Sequence, residues 1–474
     1  MKFRISGAAL ALIFTIAGSA HAAAPAAQDC HLPGSKSTLR CYTVPVPLDP
    51  QRPHAVQLAL HVTVAPAFRQ GTGADPLFVL AGGPGQAGSD LVGAHATVFQ
   101  RVRATRDIVF IDQRGTGLSG KLRCPAADDD GAGEAAMREA LARCLATVPH
   151  PLRFYTTALA AHDLERVRLA LGYGKVNLFG GSYGTRLAQS YARSHPGSVR
   201  ALVLDGVAAP DKVIPAVAGD AQRALDGVFR RCADDSACAR AFPDLRAKFD
   251  TLLARVDAGA VTLDFTHPRT GQAKRLTLSN PRFVSTIHTS LYAPQTSQRL
   301  PYLIHSAYQG NWRPFLARGF SQTDLSPEGP LATPLLLAIL CAEDFPRLTP
   351  ALRDADEHDS FLRGYAARIA ADCPLAKVSA AAAPSTTPIE APTLMLSGAL
   401  DPVTPPAAAI DAAKAMPNAR HLVARHAGHG VAALGCAPRL LRAFLDRPHE
   451  APDQRCLDEI TIPPFQLGHA GPHP

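Results

Sequence analysis

Val176-Asn177-Leu178-Phe179-Gly180-Gly181-Ser182-Tyr183-Gly184 decides the reading of this chain. Lys175 to Phe179 is a short apolar run ending in glycine, the pattern of a strand buried on both faces of a parallel sheet. It leads into a Gly-x-Ser-x-Gly turn, and Thr185 to Ser194 then reads as a helix. The pentapeptide alone says little. Between a strand and a helix it is the strained turn that holds a serine hydroxyl at a sheet's carboxyl edge, above a helix N-terminus that favours negative charge. Ser182 is therefore the expected nucleophile.

Working outward, Pro76 to Leu80 and Asp107 to Ile111 are two more such runs, each followed by glycine-rich turns. Leu159, Leu164, Val167 and Leu171 recur at helical spacing before Gly172, so the spacing predicts a helix over 158–171. A strand at Ala201 to Leu204 follows, and then the rhythm stops. It resumes with a strand at Thr393 to Leu396, a helix near Ala407 to Ala415 and a strand at His421 to Ala424. An interrupted strand–helix alternation implies one mostly parallel sheet flanked by helices, with an inserted, mainly helical cap. We place the core at 23–207 and 389–474 and the cap at 208–388. Its Ala/Pro/Ser/Thr-rich end, Ser379 to Pro388, reads as the linker back to the sheet.

A serine hydroxyl needs a base oriented by a carboxylate. Asp401, in Asp401-Pro402-Val403-Thr404-Pro405 after the strand Thr393 to Leu396, is the expected acid, with Asp205 at the end of the preceding strand as its competitor. His429, flanked by Gly428 and Gly430, is the expected base, and His426 competes with it. An oxyanion needs backbone donors. Pro84 has no N–H, so within Gly82-Gly83-Pro84-Gly85 the N–H of Gly83 is expected, Gly82 next, together with that of Tyr183.

Composition narrows the setting. Lys2 and Arg4, the apolar run Ile5 to Ala17 and Ala20-His21-Ala22 form an export leader, residues 1–22. Its removal lowers the formal charge of +8 by two. No Lys/Arg cluster interleaves with aromatics, so nucleic acid is not an expected partner, and no segment beyond the leader is apolar enough to span a membrane. The ten cysteines fall in successive couples, and neighbour pairing is the simplest connectivity for an exported chain. No Cys-x-x-Cys or His-Glu-x-x-His occurs, so neither a metal nor another cofactor is expected.

These motifs, with Asp112-Gln113-Arg114-Gly115-Thr116-Gly117-Leu118-Ser119, appear in order across residues 76–435. Together they resemble the secreted bacterial tripeptidyl aminopeptidase and prolyl iminopeptidase group of α/β-hydrolases. One departure is Ala81, where many prolyl iminopeptidases carry histidine. The resemblance implies an α/β-hydrolase fold and an exported, periplasmic or extracellular peptidase that removes single residues or tripeptides from peptide N-termini through an acyl-enzyme. It also implies that Asp112 and Arg114 brace the site floor, and that an acidic residue after Cys341, Glu343 first and Asp344 second, binds the substrate ammonium. A carboxylesterase acting on small esters with the same triad is the alternative, because fold does not fix substrate.

Overall fold

In chain order, the strands of the computed structural model are β1 (Gln28–Cys30), β2 (Leu39–Pro47), β3 (Gln57–Ala65), β4 (Leu77–Leu80), β5 (Ile108–Ile111) and β6 (Val176–Gly181). They continue with β7 (Val199–Asp205), β8 (Thr262–Thr266), β9 (Ala273–Thr277), β10 (Thr393–Gly398) and β11 (Ala419–Ala424). The structure describes residues 25–69, 71, 75–94, 96–124, 134–267, 271–323 and 331–471, so the expected leader lies outside the described residues. Among the described residues, no helix is long and apolar enough to cross a membrane.

Nine strands form one sheet in the order β1-β2-β3-β5-β4-β6-β7-β10-β11. From β5 to β11 every neighbouring pair is parallel, whereas β1, β2 and β3 join antiparallel at one edge. The parallel strands are those anticipated, with ends shifted by one or two residues: β4, β5 and β6 begin one residue later, and β6, β7, β10 and β11 run on further at one or both ends. The antiparallel edge was not anticipated, because β2 and β3 alternate buried and exposed side chains weakly and no helix separates them.

The period of two is visible in the core. Phe78, Leu80, Val109 and Leu178 pack into the cluster on one face of the sheet, with the helices Thr157–Ala170 and Tyr183–Ser194. Leu77, Val79, Ile108 and Phe179 pack into the cluster on the other, with Ala437–Asp446. Each parallel strand is thus sealed on both sides, which is why its sequence is continuously apolar.

Between β7 and β10 the chain forms successive helices and the hairpin β8–β9, an addition to the mainly helical insertion expected there. This segment has its own aromatic core around Phe249, Phe283, Phe315 and Trp312. The linker residues 379–388 are exposed. Five disulfides join Cys30–Cys41, Cys124–Cys144, Cys232–Cys238, Cys341–Cys373 and Cys436–Cys456, the successive pairing.

Candidate active site

Ser182 sits between β6 and the helix Tyr183–Ser194 with φ 54° and ψ −124°. A residue with a side chain adopts positive φ only when its surroundings impose it. Here the glycines of the motif do so. A Cβ on Gly184 would run into the Leu80 and Ala81 carbonyl oxygens, and one on Gly180 into the backbone of Gly184 and Thr185. The turn is therefore packed backbone to backbone and Ser182 projects from it. The Ser182 N–H donates to the Asp205 carbonyl at 2.9 Å, and the Ser182 carbonyl accepts from Thr185 N–H at 2.9 Å.

Strands β7, β10 and β11 end at the same sheet edge, and their following loops carry the other candidates. His429 Nδ1 lies 2.8 Å from Asp401 Oδ2. The remaining lone pairs of that carboxylate are filled: Val403 N–H and Thr404 N–H donate to Oδ1 at 2.8 and 2.9 Å, and Thr404 Oγ1–H donates to Oδ2 at 2.8 Å. Thr404 Oγ1 is also 3.1 Å from His429 Nδ1. A carboxylate on Nδ1 fixes that nitrogen as the donor, so Nε2 is left as the proton acceptor.

The electrostatics follow from this packing. Burial of Asp401 disfavours its charge, but His429 and the hydrogen bonds outweigh it and hold the carboxyl at about 2. Burial likewise disfavours the His429 imidazolium, yet the charge and hydrogen bond of Asp401 leave its pKa raised above 6.5.

The two competitors have other partners. The Asp205 carboxylate accepts Val431 N–H at 2.8 Å and Ala432 N–H at 2.9 Å, bracing the backbone just past His429. Its neighbour Gly206 faces His429, since a Cβ there would lie 3.2 Å from His429 Cε1. The segment Asp205–Gly206 therefore touches both Ser182 and His429. His426 is exposed, with Nδ1 2.8 Å from the Ile460 carbonyl.

At the glycine turn after β4, Gly82 lies closest to the serine: a Cβ on it would be 3.1 Å from Ser182 Cβ and 3.7 Å from Oγ. A Cβ on Gly83 would instead meet Gly85 and Gln86 nitrogens and the Leu331 side chain. Tyr183 opens its helix, so its N–H has no intrahelical acceptor.

Glu343 and Asp344, adjacent in sequence, are used differently. Glu343 accepts from Thr157 N–H at 2.7 Å and Thr157 Oγ1–H at 2.6 Å, and burial raises its pKa although those bonds oppose the rise. Asp344 is fully buried, accepts both contacts of Arg186 Nη1 at 3.0 Å and accepts Ile214 N–H at 2.8 Å. It is an internal ion-pair partner of the helix that follows Ser182. The floor residues are similarly internal. Asp112 holds Ser89 and Leu118 N–H groups, while Arg114 makes a forked pair with Asp163 at 2.7 Å and donates to the Leu48 and Phe154 carbonyls.

Thr157, Tyr292 and His288 join the site without a sequence signal. Thr157 is 186 positions from Glu343, and the other two belong to the insertion, where periodicity gives no register against the core. Among the described residues, no group of three His, Cys, Asp or Glu side chains could hold a metal ion.

Comparison with known proteins follows the same lines. The alpha/beta hydrolase fold family matches residues 75–434. The serine protease Hip1 of Mycobacterium tuberculosis is 32% identical over 190 residues, 36% of each chain. The tripeptidyl aminopeptidase of Streptomyces coelicolor is 33% identical over 210 residues, 39% of this chain and 38% of that one. The match thus spans little more than a third of the length of these relatives. The solved structure of the proline iminopeptidase of Mycobacterium smegmatis aligns with TM-score 0.39 and 16% identity over 86% of this chain and 98% of that one. With a family match across most of its length and a mostly parallel sheet carrying the serine turn at its carboxyl edge, the chain belongs to the alpha/beta hydrolase fold family.

Proposed function

We propose that this protein is an exported serine aminopeptidase that releases short N-terminal units, single residues or tripeptides, through an acyl-enzyme. The observation that carries the catalytic half is the shared support of Ser182 and His429 by Asp205–Gly206, with Asp401 bonded to the far side of the imidazole. His429 Nε2 takes the Ser182 proton as Oγ attacks the substrate carbonyl carbon. The N–H of Tyr183 and the Gly82–Gly83 turn bear the oxyanion. The C–N bond breaks as His429 returns the proton to the leaving amine. Water then gives a proton to His429 and attacks the acyl carbon, and the bond between that carbon and Ser182 Oγ breaks as His429 returns the proton to Oγ, freeing the acid and the serine hydroxyl. The protein's own side chains supply every proton transfer in this sequence.

The aminopeptidase half rests on Glu343, a largely buried carboxylate whose hydrogen bonds come from one threonine, leaving lone pairs for an ammonium group. The name of the Streptomyces relative, a tripeptidyl aminopeptidase, supports it. Five disulfides suit an oxidising compartment and support export.

The test is hydrolysis of matched anilides, single-residue and tripeptide, with free or acetylated N-termini, beside short-chain esters. Cleavage of free-amine anilides that acetylation and Glu343→Ala both abolish is the expected result. Activity confined to esters would make the protein a carboxylesterase, and undiminished turnover by Ser182→Ala would overturn the nucleophile.

A further inference from the structure

Asp401 and His429 stand in loops after different strands, β10 and β11, and surface loops are the least constrained parts of a fold. Their spacing from Ser182 must nevertheless hold to a fraction of an ångström, because a misplacement of about 1 Å can cost on the order of 100-fold in rate. The base loop is held by the insertion: the Tyr292 carbonyl accepts the His429 N–H at 2.7 Å, and the Tyr292 ring, with His288 5.5 Å behind it, stands edge to face on the imidazole at 5.2 Å. The acid loop has a different hold.

That loop curls round its own carboxylate, with Asp401 Oδ1 taking the N–H groups of Val403 and Thr404. The Thr404 N–H belongs to the same planar peptide unit as the Val403 carbonyl, so whatever fixes the carbonyl also aims the N–H. Lys212, near the start of the insertion, fixes it. Its Nζ donates to the Val403 carbonyl at 2.7 Å and to Asp220 Oδ2 at 2.9 Å.

Lys212 is tied in turn to the helix that follows Ser182. Its own carbonyl accepts from Arg186 Nη2, one helical turn past the serine. Arg186 Nη1 meets both oxygens of Asp344 at 3.0 Å, and the Ile214 N–H donates to Asp344 Oδ1 at 2.8 Å, so residues 212–214 are fastened to that helix both directly and through Asp344. The Val403 side chain is buried in the insertion's own core. A continuous path therefore runs from the serine helix through Arg186 and Lys212 to the peptide unit that donates to Asp401, and Asp401 holds His429 Nδ1.

The Lys212 side chain is 18% exposed. Taking an ammonium so far out of water is unfavourable unless its donors are used. The ion pair with Asp220 does not account for the bond into the acid loop, and Asp220 also has Arg223 as a partner. A charged donor on a peptide carbonyl bonds more strongly than a neutral one, and it polarises the peptide so that the N–H at the other end donates more strongly. That N–H is the one Thr404 gives to the triad carboxylate.

We propose that Lys212 is a positioning residue: its Nζ clamps the Val403–Thr404 peptide to the helix that follows Ser182, so that acid and nucleophile keep one spacing. The insertion is then part of the catalytic frame as well as a cover over it. This inference rests on the Ser182–Asp401–His429 reading and is independent of whether the substrate is a peptide or an ester.

The experiment compares Lys212→Met, Lys212→Arg and Asp220→Asn in the full mature protein. Methionine keeps an unbranched apolar stem without a donor, arginine keeps a charged donor, and Asp220→Asn removes the ion pair while leaving Lys212 in place. Lys212→Met is expected to lower kcat by about 10- to 100-fold on an ester and an anilide alike, with KM within about twofold. Labelling of Ser182 by a fluorophosphonate should slow by the same factor. Lys212→Arg should return kcat to within about fivefold of the parent, because a single carbonyl asks for one charged donor and not for a fork. Asp220→Asn should stay within about threefold of the parent. Wild-type kcat and labelling in Lys212→Met would overturn the proposal. So would a loss in Asp220→Asn equal to that in Lys212→Met, which would make the ion pair the whole role. Should Lys212→Met not fold, Lys212→Asn, whose amide ends two bonds short of Nζ, takes its place, and a kcat equal to that of Lys212→Arg would overturn the proposal. If Ser182→Ala is active, the triad reading fails; if it is inactive while Lys212→Met is unimpaired, the positioning role alone fails.

Discussion

Thr157 gives both of its donors to Glu343, the N–H at 2.7 Å and the hydroxyl at 2.6 Å, across 186 positions of sequence. Because its proton goes to the carboxylate, Thr157 Oγ1 accepts from the Tyr183 phenol at 2.8 Å, which in turn accepts from Gln113 Nε2 at 3.4 Å. The row of donors runs from the end of β5, through the residue after the nucleophile, to the proposed amine anchor. Each member polarises the next, and the charge sits at the end.

Thr157→Val breaks this row in the middle and strands the buried Tyr183 hydroxyl. A loss of about 1–3 kcal/mol is expected, read as a lower denaturant midpoint with an unchanged slope. The Thr157 hydroxyl bond also restrains the burial-driven rise of the Glu343 pKa, so its removal raises it further while the backbone N–H bond stays. KM for free-amine substrates should therefore begin to climb at a higher pH in the variant than in the parent, with ester KM unaffected.

The pH dependence of the parent follows from the couple. The His429 pKa is raised above 6.5, and the base must be neutral, so kcat/KM should rise with pH through a limb above 6.5. Asp401→Asn removes the cause of the rise. That limb should move to lower pH, and kcat should fall by about 10⁴-fold. A limb that stays in place would assign the acid elsewhere, to Asp205 first. The stability effect of Asp401 has the opposite sense: its pKa is lowered, so its contribution is present above pH 3.8 and is lost as pH falls toward about 2.

Gly82→Ala tests the serine pocket sterically. The new methyl would lie 3.1 Å from Ser182 Cβ, close enough to move the serine or the turn by a few tenths of an ångström. Turnover should drop by about 100-fold or more with melting temperature nearly unchanged, measured on the best ester or anilide.

Arg186 and Asp344 form a buried pair between the nucleophile helix and the insertion, with side chains 6% and 0% exposed. Asp344→Asn leaves the guanidinium without its counter-charge and should destabilise by about 3–5 kcal/mol in denaturant unfolding. Adding Arg186→Met should recover part of that loss, because the double variant no longer buries an unpaired charge. Strict additivity of the two changes would show that the pair does not couple.

Sequence alone determined the parallel half of the sheet, the serine turn and the candidates Asp401 and His429. These are local: a strand sealed on both faces must be apolar throughout, and the serine turn tolerates no Cβ against the neighbouring backbone at Gly180 and Gly184. Tertiary structure decided what local pattern cannot carry. The antiparallel β1–β3 edge depends on pairing between distant strands, and the different partners of Glu343 and Asp344 depend on how the insertion docks. Asp205 ends β7 and Asp401 stands in the loop after its parallel neighbour β10, and only the way the loop carrying His429 packs against both gives the imidazole to Asp401 and the backbone of Val431 and Ala432 to Asp205. Thr157, Tyr292 and His288 reach the site because packed surfaces bring them there, and such contacts leave no period in the sequence to read.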